Sequence, residues 1–301
     1  MASAAVRPEI LYAWCGPSLL ITDTRGECGP AQQLSGFYFR EARHLCTLAP
    51  EINGHRLWLC EAASTEPAAL AFSFVYPEIT QPGGGGTGQA GDEEGVDADG
   101  IPERSLDIRL SYRVTVAHLA VGLTIANRAR RTVTCELAWV LGADFADIQE
   151  AQSGRREQQG GVDIAPLQGC VSLTYRHPQL PLGTCVHHDS GWSAQGDRLR
   201  MALTLAPRER KDLRIRVVPS GGAAIPSEAA AAREAAAAGW RDRFARVEAP
   251  GNRLCEAVVT QSIRDFASFP LLDGEPDEWL ALQAGMPLYP AFFGRDAVTA
   301  G

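Results

Sequence analysis

The chain has 301 residues, of which 45% are hydrophobic, so it is long enough to bury one large core or two modest ones. Its formal net charge of −8 argues against a nucleic-acid partner and against an anionic membrane surface. No stretch approaches the roughly 18 apolar residues of a membrane span, and the N-terminus lacks the pattern of a signal peptide. We therefore expect a cytoplasmic protein with no nucleic-acid or membrane partner.

Eight cysteines are scattered along the chain without any C-x-x-C spacing. In a chain of this length without an export signal, such cysteines are expected to be reduced thiols rather than disulfides. The same scatter argues against a zinc site. The sequence therefore predicts neither a metal site nor a cofactor.

Between about Leu11 and Val218, apolar and polar residues alternate, as is typical of β-strands with one buried face. The clearest alternating runs begin at Ile108, Leu119, Val133, Leu199 and Leu213. The first three of these runs are predicted to form an antiparallel meander. Because each run has one apolar face, we predict a mainly β protein whose residues 1–220 form a large antiparallel β-sandwich.

Residues 81–100 interrupt the alternation with a Gly-rich, acidic segment that offers almost nothing to bury. Such a composition is typical of a disordered surface insertion. The carboxylates of this segment lack the regular ligand positions and the closing glutamate of a calcium loop. A solvated insertion is therefore the preferred interpretation.

After Val218 the pattern changes to that of helices. An Ala-rich run from Glu228 to Val247 has high helix propensity and follows a candidate N-cap at Ser227. A second helix is predicted from Arg253 to Phe269. Its apolar stripe is interpreted as core packing and consists of Leu254, Val258, Ile263 and Phe266. We therefore predict that residues 221–270 are linker helices.

The segment Gln283–Thr299 places an Arg295–Asp296 pair among aromatic and proline residues. A carboxylate accepts hydrogen bonds from sugar hydroxyls, a guanidinium donates them, and aromatic faces cover the apolar side of a pyranose. The candidate sugar-binding residues are Arg295, Asp296, Tyr289 and Phe293. In the alternative interpretation, Asp296 caps a helix that starts at Ala297 and the aromatic residues are packing. Because only the first turn of that helix is present, we expect the front portion of a longer enzyme.

Four blocks carry a resemblance to a known family. They are Leu19–Gly26 (LLITDTRG), Gly36–Gly54 (GFYFREARHLCTLAPEING), Asn127–Glu150 (ending in ADFADIQE) and the block AGMPLYPAFFGRDAVTA that begins at Ala284. In this order and spacing they resemble the bacterial and archaeal glycogen debranching enzymes of the amylo-α-1,6-glucosidase type. The chain departs from the family pattern at Leu288, where Trp is usual, and at Ala297, where Ser or Thr is usual.

The resemblance implies an N-terminal β-sandwich packed on a C-terminal (α/α)₆ toroid, of which residues 271–301 are the truncated start. The toroid would hydrolyse α-glucosidic bonds of glycogen or maltodextrin, with α-1,6 branch points as the typical target. The matching Arg295 and Asp296 would bind hydroxyls of the non-reducing glucose. The two catalytic carboxyl groups of such enzymes would lie beyond Gly301, so no catalytic residue is assigned in this chain.

Two further groups of charged residues lie in the resembling blocks. Asp144, Asp147 and Glu150 are spaced three residues apart. They are interpreted as a strand-end turn whose aspartates bond backbone amides, rather than as part of an active-site mouth. The second group follows an aromatic trio and consists of Arg40, Glu41 and Arg43. An interface with the toroid is preferred for it over contact with glycan.

The sequence His187-His188-Asp189 invites a metal or catalytic interpretation. Adjacent histidines in a strand point to opposite faces and cannot readily share one ligand, so a polar loop is preferred. Two alternatives to a debranching enzyme stay open. One is a related trehalase-like or glucoamylase-like toroid glycosidase. The other is a non-catalytic carbohydrate-binding or scaffolding sandwich.

Overall fold

The computed structural model describes residues 9–78, 96–157, 160–222, 224–241, 248, 251–271, 281–287 and 289–292. In chain order, the first seventeen strands are β1 (Ile10–Cys15), β2 (Ser18–Asp23), β3 (Gly36–Phe39), β4 (Ala42–Leu45), β5 (Thr47–Ile52), β6 (His55–Arg56), β7 (Trp58–Glu66), β8 (Ala69–Tyr76), β9 (Leu106–Val114), β10 (Leu119–Asn127), β11 (Val133–Gly142), β12 (Gly161–Leu167), β13 (Cys170–Arg176), β14 (Leu182–His188), β15 (Ser193–Gln195), β16 (Arg198–Leu205) and β17 (Arg210–Gly221). The helices are α1 (Ile148–Ser153), α2 (Ser227–Arg241) and α3 (Arg253–Ala267).

These strands form three antiparallel sheets. An eight-stranded sheet has the order β12-β13-β14-β17-β10-β9-β8-β7, a five-stranded sheet has the order β15-β16-β11-β5-β6, and β1 to β4 form a four-stranded sheet. The alternation in β9 buries Ile108 and Leu110 and exposes Arg109, while β11 on the other large sheet buries Leu137 and Trp139. Both inner faces contribute to one hydrophobic core, so the predicted antiparallel β-sandwich is confirmed.

The predicted meander is wrong in its third strand. β10 pairs with β9 and with β17, whereas β11 crosses to the five-stranded sheet and pairs with β5 and β16. The buried Asn127 holds this crossing, because its amide nitrogen donates to the carbonyl oxygens of Arg131 and Leu205, both at 2.9 Å. The alternation of apolar and polar residues shows which side chains are buried. It does not show whether β11 or β17 pairs with β10.

The four-stranded sheet is buried on both faces. In β2, Leu20 faces the main core, whereas Leu19 and Ile21 belong to a second core. In β3, Phe37 faces the main core and Tyr38 the second core. The small sheet therefore separates the two cores, and its near-continuous apolar runs follow from that position.

The last five residues of the predicted disordered insertion, 96–100, are ordered. Residues 81–95 lie outside the described residues, but 96–100 form a turn. The Asp97 carboxylate accepts the backbone N–H groups of Asp99 and Ile101 at 3.0 and 2.7 Å. The Asp99 carboxylate in turn accepts the Asn53 side-chain amide at 2.8 Å. Hydrogen bonds rather than burial order these five residues.

The structure has helices where the sequence predicted them, α2 and α3, and their role as linkers stays a prediction. The interpretation of the apolar stripe on α3 as core packing is wrong. Leu254 is 75% exposed, Val258 is 56% exposed and Phe266 is 43% exposed, and α3 has no buried residue. A stripe at helical spacing shows that a surface is apolar and does not show what covers it.

Beyond α3, short strands form a third element of the fold. β18 (Pro270–Leu271), β19 (Ala281–Gly285) and β20 (Tyr289–Phe292) make a three-stranded antiparallel sheet. The toroid predicted for residues 271–301 stays a prediction, because the expected helix from Ala297 lies outside the described residues. All eight cysteines are free thiols, and among the described helices none has the length and apolar character to cross a bilayer.

Candidate functional site

Most of the predicted sugar-binding residues lie at the end of the chain, outside the described residues. This holds for Phe293, Arg295 and Asp296. Tyr289 begins β20, where its backbone pairs with Gly285 of β19. The assignment of these four residues to sugar binding stays a prediction. The structure describes the contacts by which the strands that lead to them pack on the four-stranded sheet.

β19 is fastened to the four-stranded sheet through Gln283. This side chain is 6% exposed, and its amide nitrogen donates to the carbonyl oxygen of Gly16 at 2.6 Å. The Gln283 backbone N–H donates to the carbonyl oxygen of Phe269 at 3.2 Å. The Phe269 ring lies 5.7 Å from the ring of Trp14. The buried Gln283 amide, bonded to the turn between β1 and β2, therefore fixes the position of β19 relative to the four-stranded sheet.

The second core joins all four resembling blocks. Leu19 and Ile21 come from the first block, Tyr38 from the second and Ala146 and Ile148 from the third. Two partly buried residues that pack against this core, Phe269 and Met286, come from the segment that leads into the fourth block and from that block itself. Blocks that are up to about 270 positions apart in the sequence therefore meet in one small apolar cluster.

A bidentate ion pair links the second and third blocks beside this core. The Arg43 Nε and Nη2 atoms donate to Asp144 Oδ1 and Oδ2 at 3.0 and 2.5 Å. Arg43 is 8% exposed, and its Nη1 also donates to the carbonyl oxygen of Gln33 at 2.6 Å. The Arg43 guanidinium lies 5.9 Å from the centre of the Tyr38 ring. Because each nitrogen of its guanidinium donates to a group within the sandwich, Arg43 is a structural cation rather than a ligand-binding group.

The remaining acidic residues of the third block serve its own fold. Asp147 caps α1 by accepting the backbone N–H groups of Gln149 and Glu150 at 2.7 and 2.8 Å. The Glu150 carboxylate accepts the Asp147 backbone N–H at 3.2 Å, which completes a capping box. Arg156 lies 3.1 Å from the Asp144 carboxylate. The predicted bonds of aspartates to backbone amides are confirmed, but the segment continues into the helix α1 and is not only the predicted strand-end turn.

Four non-glycine residues of the second and third blocks have left-handed backbone, among them Asn53 with a φ of 52°. Arg40 and Glu41 form the turn between β3 and β4 with φ values of 47° and 68°. The Arg40 backbone N–H donates to the carbonyl oxygen of Pro17 at 2.9 Å, which places this turn beside the turn between β1 and β2. Phe145 is buried with a φ of 52°. Non-glycine residues adopt this conformation only where the surroundings hold them, and such positions cluster at functional sites.

His44, which no sequence pattern indicates, is fully buried beneath Phe145 of the third block. Its Nδ1 lies 2.9 Å from the carbonyl oxygen of Gly183, so Nδ1 carries the proton. Its Nε2 is buried and has no hydrogen-bond partner among the described residues. The rings of Phe39 and Phe145 approach the imidazole at 6.0 and 5.5 Å. Burial lowers the pKa of His44 to about 4, so the side chain is neutral at physiological pH.

The two adjacent histidines lie in a strand rather than in the predicted polar loop. Both end β14, where His187 pairs with Arg216 and His188 pairs with Ile215, so they point to opposite faces as expected. The side-chain alternation of β14 extends to its last residue because β17 continues beside it. Within the described ranges, no group of three or more His, Cys, Asp or Glu side chains is arranged to hold a metal ion.

Comparison with protein families gives one match over most of the chain. Residues 15–216 match the family model described as the N-terminal domain of (some) glycogen debranching enzymes. Among curated proteins, none matches the chain. The matched range runs from Cys15, the last residue of β1, to Arg216 within β17 and includes the first three resembling blocks.

Solved structures give remote similarities. A proposed aldose 1-epimerase from Escherichia coli K12 is 10% identical, with 70% of this chain and 99% of that chain covered and a TM-score of 0.37. A galactose mutarotase-like protein from Lactobacillus casei ATCC 334 is 8% identical, with 70% and 100% covered and a TM-score of 0.38. A proposed kojibiose phosphorylase from the human microbiome is 9% identical with a TM-score of 0.40; 89% of this chain is covered but only 33% of that chain.

Replacing His44 by Asn is expected to flatten the acid side of the stability profile. Because the pKa of His44 is lower in the folded chain than its usual 6.5, its neutral form favours folding above that pH, and this contribution is lost as pH falls toward 4. The wild-type free energy of unfolding should therefore drop by about 3 kcal/mol more than that of His44→Asn between pH 7 and pH 4. Urea unfolding at several pH values measures this.

The Asn amide nitrogen occupies roughly the place of Nδ1 and can still donate to Gly183. The matched control is His55→Asn, which changes an exposed histidine of β6 and should retain the wild-type slope. Parallel profiles for wild type and His44→Asn would show that His44 does not contribute to acid unfolding.

Proposed function

The chain belongs to the family of N-terminal domains of glycogen debranching enzymes, and from this premise we propose that the protein hydrolyses α-glucosidic bonds in glycogen or maltodextrin, with α-1,6 branch points as its main target. The general acid and base of this reaction would lie in a helical domain outside residues 1–301. We further propose that the protein works in the cytoplasm, in keeping with its eight free thiols.

The observation that carries this proposal is the meeting of four sequence blocks at the second core. Gln283 and Met286 lie near the start of the segment that contains Arg295 and Asp296, and both contact the four-stranded sheet or its second core. An enzyme gains rate by holding the sugar ring in place, and a displacement of about 1 Å costs roughly 100-fold. The proposed role of the sandwich is to seat the strand pair from which Arg295 and Asp296 reach the non-reducing glucose, with Tyr289 and Phe293 beside it.

The exposed stripe on α3 supports a partner domain. Leu254, Val258 and Phe266 present apolar side chains at a spacing of one helical turn or its multiples, and each is more than 40% exposed. Exposed apolar side chains in a row mark an interaction surface more often than a free one. We assign this stripe to the helical catalytic domain, which would cover it as one helix covers another.

The Arg40–Glu41 turn is proposed to face the same partner domain. A two-residue hairpin turn with two positive φ values normally carries Asn-Gly, because these residues adopt that backbone at little cost. Here two charged residues occupy both positions and are exposed. Retaining them costs about 1–2 kcal/mol per residue of backbone strain. This strained, charged turn lies next to the turn at Gly16 to which Gln283 of β19 is bonded. Its position suggests that the Arg40 and Glu41 side chains contribute to the assembled site.

Replacing the turn by Arg40→Asn with Glu41→Gly separates stability from function. We expect the 301-residue chain to gain about 1–3 kcal/mol in its free energy of unfolding because the strain is relieved. In the longer protein, kcat/KM for glucose release from a limit dextrin should fall about 10-fold or more, since charge-assisted contacts are lost.

The control for this experiment is Arg40→Gln with Glu41→Gln, which removes both charges and keeps the left-handed backbone. It should lose activity without gaining stability. A stabilised Asn-Gly protein with full activity would show that the turn has no functional part.

Replacing Asp296 by Ala tests the proposed sugar subsite. In the longer protein, kcat/KM for limit dextrin should fall about 100-fold, because the glucose ring is no longer fixed against the catalytic groups. The matched control is Asp163→Ala, which removes an exposed carboxylate on β12 of the sandwich. Wild-type activity in Asp296→Ala, or absence of glucose release from any α-glucan, would refute the proposal. Micromolar binding of glycogen by the 301-residue chain alone would favour the carbohydrate-binding module instead.

A further inference from the structure

The outer face of the eight-stranded sheet carries a cluster of nitrogen-rich side chains, at the centre of which is Arg216. Arg216 on β17 lies directly opposite His187 on β14 and directly opposite Ala120 on β10. Residues in such pairs have their Cβ atoms roughly 4.5–5.5 Å apart and point to the same face. His118 comes two residues before Ala120 and is therefore on this face too, diagonal to Arg216.

The surface around Arg216 is open because its neighbours on β10 are small. Ala120 and Gly122 lie opposite Arg216 and Arg214, respectively. Both arginines are exposed, whereas the two β10 residues are half-buried between longer side chains. A Cβ added at Gly122 would lie 2.7 Å from Ser111 Oγ, so the sheet accommodates no larger residue there without a shift. The two exposed arginines therefore stand beside two small residues of β10.

The charges on this face are unequally matched. Arg113 pairs with Glu66 at 3.1 Å, and Arg210 pairs with Asp212 at 3.0 Å. Arg214 and Arg216 form no ion pair with any carboxylate in the described part of the chain. Arg214 is partly compensated, because Asp212 lies within electrostatic reach of it on the same face of β17. Arg216 has no such carboxylate among the described residues, which is unexpected on a protein with a net charge of −8.

The two histidines are close enough to Arg216 to respond to its charge. Burial and then Arg216 lower the pKa of His118, and the same two causes, in the same order, lower the pKa of His187. The His118 Nδ1 is taken by the Thr115 hydroxyl at 2.9 Å, which leaves Nε2 for another partner. Both imidazoles are therefore mostly neutral near pH 7 and would become better donors if an anion were bound.

We propose that Arg216, together with Arg214, His118 and His187, binds a phosphate monoester. A guanidinium fork matches the oxygens of a phosphate group, and imidazole N–H groups supply further donors at the rim. The shared chemistry has two sources, a small sugar phosphate and a phosphate group carried on a glucan chain. This site is independent of the proposed glucosidase activity, because it involves neither the second core nor the C-terminal segment.

The test uses the 301-residue chain and inorganic phosphate at constant ionic strength, with chloride as the reference. The imidazole carbon-bound protons of His118 and His187 are followed by NMR, and the dissociation constant is taken from their shifts. Arg216→Gln should weaken phosphate binding about 10-fold or more, because a hydrogen bond between charged groups is lost. Arg210→Gln, on the same strand and face but already paired with Asp212, should stay within twofold of wild type.

Circular dichroism of both variants shows whether the fold is kept. Phosphate that leaves the His118 and His187 signals unmoved would overturn the proposal, as would equal weakening by the two substitutions or unchanged binding in Arg216→Gln. Tight, salt-dependent binding of duplex DNA that falls equally in both variants would also overturn it in favour of a general polyanion surface.

Two further titrations distinguish the sources of the phosphate group. Binding of glucose 6-phosphate but not of glucose indicates a small sugar phosphate. Retention on phosphorylated amylopectin that is lost after phosphatase treatment of the polymer indicates a phosphate carried on a glucan. Loss of glucosidase activity in Asp296→Ala is expected to leave both results unchanged, so the two proposals fail separately.

Discussion

The ion pair between Arg43 and Asp144 is the interaction on which the arrangement of the resembling blocks depends. It joins positions 101 residues apart through two parallel hydrogen bonds, with Arg43 almost fully buried. Removing one partner of a buried pair leaves an uncompensated charge and costs about 3–5 kcal/mol. Backbone bonds reinforce the pair, since the Arg43 N–H donates to Ala146 and the Phe145 N–H donates to Arg43. The third block is thereby held against β4.

What the pair holds in place is the second core. Ala146 and Ile148 pack beside Leu19, Ile21 and Tyr38, and the third block that carries them is bonded to β4. The same core supports Phe269 and Met286, and Gln283 bonds to the neighbouring turn at Gly16. The ion pair between Arg43 and Asp144 thus influences the position of the C-terminal strands β19 and β20. In the proposed enzyme this is how a domain without catalytic groups affects the placement of a glucose.

The sequence predicted the features that depend on local patterns. Alternation located strands such as β9, the Ala-rich run located α2, and the spacing of the third-block aspartates predicted their bonds to backbone amides but not the helix α1. Contacts between residues that are distant in the sequence were not predictable. The crossing of β11 depends on Asn127 bonding to Leu205, and the exposure of Leu254 depends on what covers α3. His44 carried no signal, because its importance lies in burial next to Phe145 and not in its neighbours along the chain. The sugar subsite at Arg295 and Asp296 still depends on the resemblance.

The coupling free energy between Asp144 and Phe269 tests the central claim most directly. Urea unfolding of the wild type, Asp144→Ala, Phe269→Ala and the double variant gives this value as a double-mutant cycle. If the ion pair supports the core on which Phe269 packs, the two substitutions should couple by about 1 kcal/mol or more. A parallel cycle of Phe269→Ala with Asp212→Ala, an exposed site on β17, should be additive. Additivity within about 0.5 kcal/mol for Asp144 and Phe269 would contradict the account.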